Sequence, residues 1–277
     1  MNDNLIQDNK RLPLKMFRSP LLFVIEAIFI ISAIFMVISM VRFLDPAHRR
    51  DVIYGLVAQQ ITDPAALETW FGIIVAGKAL FTLYSVGMAV GFGRFLITAA
   101  TCQDDTGKIK GLGFIAVVNR IAIWSWGGLL SVSAVVFVVK MITYITVLVS
   151  EEVDFIFPLM AVLAGEAVMV LLLVGITVFL IVMWREHAFL CDHLRYMLYT
   201  GRVDSHIESF CSVSLYFIAA LCSYLVVFFA YDPISIIAFA LLAVASVMLG
   251  VCIRILKSRV EHIKFQAYLE KRAEKKK

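Results

Sequence analysis

Apolar residues in this chain are gathered into long runs that are separated by short polar segments. A helix needs about 20 predominantly apolar residues to cross the hydrocarbon core of a bilayer, because each residue rises only about 1.5 Å. The pattern therefore predicts an all-α polytopic integral membrane protein, with six transmembrane helices in a bundle (residues 20–255) and short amphipathic interfacial helices. The predicted spans are Pro20–Phe43, Phe71–Phe95, Phe114–Val149, Phe155–Trp184, Cys211–Ala230 and Pro233–Ile255.

The segments outside these runs predict further helices. Asp63 followed by Pro64 is typical of a helix N-cap and first turn, so the second long helix is expected to begin there. Residues 185–200 extend the fourth span, and Gly201 is placed to end that helix. The third run is too long for one upright span, so Ile115–Trp126 is expected to be tilted or interfacial. A surface helix is predicted before residue 63 from the helical spacing of Val52, Ile53, Leu56, Val57 and Gln60.

Composition excludes a soluble domain. Hydrophobic residues make up 61% of the 277 residues, charged residues only 17%, and the mean hydropathy is +0.90, whereas soluble domains carry about 25% charge.

The distribution of basic residues predicts the orientation. Cytoplasmic loops of membrane proteins carry an excess of Lys and Arg, and 19 of the 25 basic residues lie on one side if both termini are cytoplasmic. We therefore predict a multi-pass protein of a cell membrane, with an amphipathic N-tail (1–19) and a basic C-tail helix (256–277), both in the cytoplasm. The C-tail is expected to anchor the topology at the lipid surface, and no nucleic-acid partner is expected.

The candidate functional residues are charges within the spans. Each costs about 2.5–3.5 kcal/mol at the centre of a span, and such residues usually pair or line a wet cavity. Their depths predict an inner pair, Glu26 with Arg120, and an outer cluster of Glu166 with Lys140 or Lys78. These groups are either structural ion pairs, the interpretation we favour, or a site for a proton, cation or cationic substrate.

The sequence predicts no catalytic, cofactor-binding or metal-binding residues. It has no hydrolase, kinase or dinucleotide-binding motif, and its five cysteines form no C-x-x-C pair. His187 and Cys191 are four residues apart on a helix, but no third ligand is in register with them.

Small residues at four-residue spacing predict close helix packing, within the bundle or across a homodimer. They include Gly72, Ala76, Gly87 and Gly91 in the second span. Thr82–Arg120, after the opening FRSPLLFVIEAIFIISAIF, resembles multi-pass membrane proteins of Gram-positive gut bacteria. The resemblance implies a bacterial cytoplasmic membrane and no assigned activity.

Two functional hypotheses follow. The first is a non-enzymatic accessory or scaffold subunit of a membrane complex, which meets a protein partner through the helix at 185–200 or through the C-tail. The second is a small secondary transporter or channel that uses the intramembrane Glu and Lys residues. An intramembrane enzyme has the least support.

Overall fold

The computed structural model describes residues 17–57, 64–101, 109–150, 156–200, 210–230 and 232–274. Over these ranges the chain is all-α and contains no strand. The helices are α1 (Pro20–Leu44), α2 (Pro46–Val57), α3 (Pro64–Thr101), α4 (Leu112–Ser150), α5 (Ile156–Thr200), α6 (Phe210–Phe228) and α7 (Pro233–Glu274).

Five of these helices contain a segment long and apolar enough to cross a membrane. The segments are Pro20–Leu44, Phe71–Thr101, Leu112–Thr143, Leu163–Tyr196 and Pro233–Arg259. They define the chain as a helical membrane protein. The fifth predicted span coincides with a shorter apolar helix, Cys211–Val227, so the count of six stays a prediction.

Prolines mark the helix starts. α1, α2, α3 and α7 each begin at a proline, whose missing N–H and fixed φ suit the first helical turn. The predicted start of α3 at Pro64 is confirmed. A helix is present in the predicted region as α2, but it begins at Pro46, ahead of the predicted repeat, and residues 58–63 lie outside the described ranges. Its expected position on the membrane surface stays a prediction.

The long helices run on without a break. α4 is continuous through Ile115–Trp126 as one helix of 39 residues, and α5 extends to Thr200, as the sequence predicts. α7 is a helix of 42 residues, so the described part of the C-tail continues directly from the last span. Residues 1–16 of the predicted N-tail lie outside the described ranges.

The chain divides into two compact units, residues 120–185 and the remainder. In the larger unit α1 packs against α3 and α7, and α6 packs against α7. The centre of this packing is apolar and fully buried, with Ile25, Phe29, Met36, Phe239 and Leu242 each at most 1% exposed.

Glycines bring α3 and α4 together in the larger unit. A Cβ atom at Gly87 would lie 2.7 Å from the Val118 side chain, and one at Gly91 would lie 2.6 Å from Ile115. Gly111, just before α4, has a φ of +113°. The packing role predicted for the small residues of this span therefore applies to Gly87 and Gly91, whereas Gly72 has no atom within 4 Å of its Cβ position.

The smaller unit consists of two helical segments, from Arg120 on α4 and up to Arg185 on α5. Trp126 and Trp184 stack with their ring centroids 6.3 Å apart. Hydroxyl groups along α4 donate to the carbonyl oxygen four residues earlier, as Ser131 does to Gly127 at 2.6 Å. Such bonds give each hydroxyl group an acceptor within its own helix, which the hydrocarbon of a membrane does not offer.

A candidate functional site of buried charges

Lys78 is the best defined of the candidate residues. Its side chain extends from α3 and is fully buried. The ammonium Nζ donates a hydrogen bond of 2.6 Å to Ser235 Oγ on α7 and lies 3.5 Å from Asp232 Oδ2. An ammonium group is a strongly hydrated point charge, so these polar partners replace the water that burial removes.

Asp232, in the turn between α6 and α7, is the centre of the site. Its carboxylate accepts hydrogen bonds from the Ser39 hydroxyl at 2.9 Å, from Ser235, and from the backbone N–H of Ile234 at 3.3 Å. Arg42 Nη1 lies 3.7 Å from Oδ1. A carboxylate with charged and hydrogen-bonded partners is retained in its ionised form.

The pKa of Asp232 reflects this competition. Burial raises the pKa of the carboxyl, whereas the hydrogen bonds from Ser235 and Ser39 and the charge of Lys78 lower it. The lowering effects are together larger, so the pKa of Asp232 lies below its ordinary value.

Aromatic rings close the remaining side of the site. Lys78 Nζ lies 4.0 Å from the ring centroid of Phe43 and 4.9 Å from that of Phe229. A cation over the face of a ring is attracted by the ring quadrupole, and the effect is larger when water is absent. Lys78 is therefore held by an anion, a hydroxyl group and two ring faces.

The site, which we call the Lys78–Asp232 cluster, joins Ser39 and Arg42 of α1, Lys78 of α3, and Asp232 and Ser235 at the start of α7. The hydroxyl groups of Ser39 and Ser235 also lie 2.6 Å apart. Because Lys78, Asp232, Ser39 and Ser235 are all buried and bonded to one another, the arrangement suits a fixed contact between three helices.

Glu26, the second candidate in this unit, lies elsewhere. It is thirteen residues from Ser39 on α1, about 20 Å along the helix axis. Its carboxylate is buried against α3, where Oε1 lies 2.5 Å from the position a Cβ would take at Gly93. Among the described residues no hydrogen-bond partner reaches Oε2.

The other three candidates belong to the smaller unit. Arg120 is exposed at its start. Lys140 and Glu166 lie on α4 and α5, and their side chains fall outside the description. The pairs predicted for these residues, Glu26 with Arg120 and Glu166 with Lys140 or Lys78, therefore stay predictions.

Asp232 is not among the candidates that the sequence predicts, because it falls between the fifth and sixth predicted spans and not within one. One feature of the sequence does mark Asp232. It precedes Pro233 as Asp63 precedes Pro64, which is typical of a helix N-cap followed by a first-turn proline. Ser39 and Ser235 gave no comparable signal, since serine is common in membrane helices.

His187 and Ser214 form a second polar contact, with 2.7 Å between Nε2 and the hydroxyl oxygen. The same nitrogen lies 3.2 Å from the carbonyl oxygen of Cys211, and the Ser214 hydroxyl donates to that oxygen at 2.9 Å. A carbonyl next to Nε2 favours the tautomer with its proton there. His187 then acts as a donor that fixes the start of α6, and it does not serve Ser214 as a base.

Compared with protein-family models, curated proteins and solved structures, the chain has no match. The chain is therefore assigned to the helical membrane proteins from its five long apolar helices alone. The bacterial membrane that the resemblance of Thr82–Arg120 implies stays a prediction.

Proposed function

We propose that this protein is a non-enzymatic accessory or scaffold subunit of a membrane complex, with six spans and both termini in the cytoplasm. The first support is the Lys78–Asp232 cluster. A transport site needs a charge that a substrate or water can reach, whereas Lys78 is enclosed by its partners and Asp232 is fully buried. The charges then serve to hold α1, α3 and α7 together.

The observation that carries the proposal is the exposed apolar face of the C-terminal part of α7. Phe265 and Tyr268 are each 58% exposed, and Leu269 is 46% exposed. Their spacing, i, i+3 and i+4, places them on one helix face. This segment follows the last apolar span, which ends at Arg259, and helix-in-groove recognition uses such anchors.

The experiment is co-purification of the full chain from its native membrane in mild detergent. A triple variant, Phe265→Ser, Tyr268→Ser and Leu269→Ser, removes the anchors. Its matched control changes two exposed polar residues of the same segment, His262→Ser and Gln266→Ser.

We expect a protein that co-purifies in fixed proportion with the natural chain to fall at least tenfold with the triple variant and to persist with the control. The proposal fails if the natural chain elutes alone at the mass of a monomer or a homodimer, or if both variants retain the partner equally.

A secondary transporter is the second candidate, and the ion pair between Lys78 and Asp232 is the observation that favours it. Charged pairs in membrane helices often mark proton or ion pathways. In this case a substrate or proton would break the pair during each cycle. Uptake in proteoliposomes that depends on an ion gradient and disappears with Lys78→Met and Asp232→Asn together would select this function.

A further inference from the structure

An apolar cavity of about 290 Å³ lies within the larger unit, away from the Lys78–Asp232 cluster. Helices α1, α3, α4, α5, α6 and α7 all contribute to its wall. Most of the lining is aliphatic or aromatic, represented by Phe92, Leu112, Leu190, Leu215 and Leu249. Ligand sites are concave, mostly apolar and about 300–1,000 Å³ in volume, so this cavity lies at the small end of that range.

One end of the cavity carries a positive charge. Arg259, the last residue of the apolar segment of α7, is part of the lining, and no Asp or Glu is found among the lining residues that the structure describes. No carboxylate of the described residues pairs with Arg259, whereas its neighbour Lys257 pairs with Glu261. Arginine binds carboxylate and phosphate groups in a bidentate manner.

The dimensions indicate the kind of molecule that fits. Leu249 and Arg259 both line the cavity and are ten residues apart on α7, a rise of about 15 Å. A cavity of this length, at the small end of the range of ligand sites, suits one alkyl chain and not the two chains of a phospholipid.

We propose that the cavity binds a single-chain anionic amphiphile, specifically a fatty acid. The alkyl chain lies between α1, α3 and α7, and the carboxylate lies at Arg259, where the last span meets the water. This inference does not depend on the proposed scaffold function, since a subunit or a transporter could hold such a ligand.

The test is photolabelling of the purified full chain in detergent with hexadecanoic acid that carries a diazirine on its alkyl chain. Mass spectrometry locates the adducts. Leu249→Trp places an indole in the cavity, and Val247→Trp is its control, because Val247 is 42% exposed on the same helix and does not line the cavity.

We expect adducts on lining residues, competition by unlabelled hexadecanoic acid, and at least a tenfold loss with Leu249→Trp but not with Val247→Trp. The charge is tested separately. Arg259→Gln should weaken labelling by the acid about tenfold without changing labelling by its methyl ester, and Lys257→Gln should change neither.

Several results would overturn the inference. Adducts that follow exposed helix faces, or equal labelling of the two tryptophan variants, would show that the probe binds the surface. Equal labelling by a two-chain phosphatidylglycerol probe would show that the bilayer lipid is the ligand. If Leu249→Trp does not fold, the comparison of acid and ester with Arg259→Gln still decides the result.

Discussion

At the scale of single residues, the Lys78–Asp232 cluster explains how this protein keeps a charge among apolar helices. An ion inside a membrane helix costs about 2.5–3.5 kcal/mol. Lys78 meets that cost through the Asp232 carboxylate at 3.5 Å, the Ser235 hydroxyl at 2.6 Å and the Phe43 ring at 4.0 Å. If one member of the pair is removed alone, the other charge stays buried without a partner and destabilises the fold.

The first prediction concerns Lys78→Met. This change leaves the Asp232 carboxylate buried without its lysine, so we expect the free energy of unfolding to fall by about 3–5 kcal/mol. Adding Asp232→Asn removes the remaining charge and should recover part of the loss. Unfolding in detergent measures both effects, with Lys257→Met, which removes a half-buried lysine outside the cluster, as the control. A single variant as stable as the natural protein would contradict the structural role.

The second prediction concerns acid. Because the pKa of Asp232 is lower in the folded protein than in the unfolded chain, the carboxylate stabilises the fold above pH of about 4, the ordinary value for Asp. That contribution is lost as the pH falls through the pKa of the folded state. The difference in melting temperature between the natural protein and Asp232→Asn should therefore narrow below about pH 4. A difference that is constant from pH 7 to pH 3 would contradict it.

Hydropathy predicts one member of the cluster but not its partner. It identifies Lys78 and Glu26 as embedded charges, because their own neighbours in the chain are apolar. It could not identify Asp232 as the partner of Lys78, since the two residues are 154 positions apart and belong to different helices. Pairing of this kind depends on which helices are adjacent, which hydropathy does not record.

At the scale of elements, helix ends were easier to predict than helix neighbours. Pro64 begins α3 where expected, since proline suits a first turn. α5 is helical to Thr200, and the helix end predicted at Gly201 lies outside the described ranges. α4 is continuous through Ile115–Trp126, and the tilted or interfacial position expected for that segment stays a prediction. A helix longer than the bilayer can tilt or protrude, so length alone does not predict a break.

The third prediction concerns the contact between α3 and α4. A Cβ at Gly111 would lie 2.6 Å from the backbone nitrogen of Phe95 and would also overlap Gly91 O, and the φ of +113° disfavours any other residue. We expect Gly111→Ala to destabilise the protein by more than about 2 kcal/mol. Thermal unfolding in detergent measures it.

The control for that change is Gly128→Ala on α4, where nothing lies within 4 Å of the Cβ position. Alanine has the higher helix propensity, so this variant should be as stable as the natural protein or slightly more stable. Equal melting temperatures for the two alanine variants would show that the close approach at Gly111 is not required.

At the scale of the whole molecule, the apolar helices differ in how much of them is buried within the chain. Only 6% of the apolar segment of α4 is buried, against 44% for that of α3. Apolar side chains that are not packed within the chain require lipid or a partner. The sequence predicts membrane helices in both cases, but it does not predict this difference, because the two segments have similar mean hydropathy, 1.9 and 1.8.

The number of spans depends on whether α6 crosses the membrane. Among the described residues, five segments are long enough to span, and Cys211–Val227 is shorter. With six spans both termini lie on the same side of the membrane, whereas with five spans they lie on opposite sides. The six apolar runs predict six spans, and the distribution of Lys and Arg predicts that both termini are cytoplasmic.

The most direct test is cysteine labelling of intact cells with a membrane-impermeant maleimide. The five native cysteines are replaced, and single cysteines are introduced as Asn4→Cys, Gln59→Cys, Glu152→Cys, Asp204→Cys and Lys276→Cys. We predict that positions 59 and 152 react in intact cells, and that positions 4, 204 and 276 react only after permeabilisation. Reaction at position 276 but not at position 4 in intact cells would contradict the six-span arrangement.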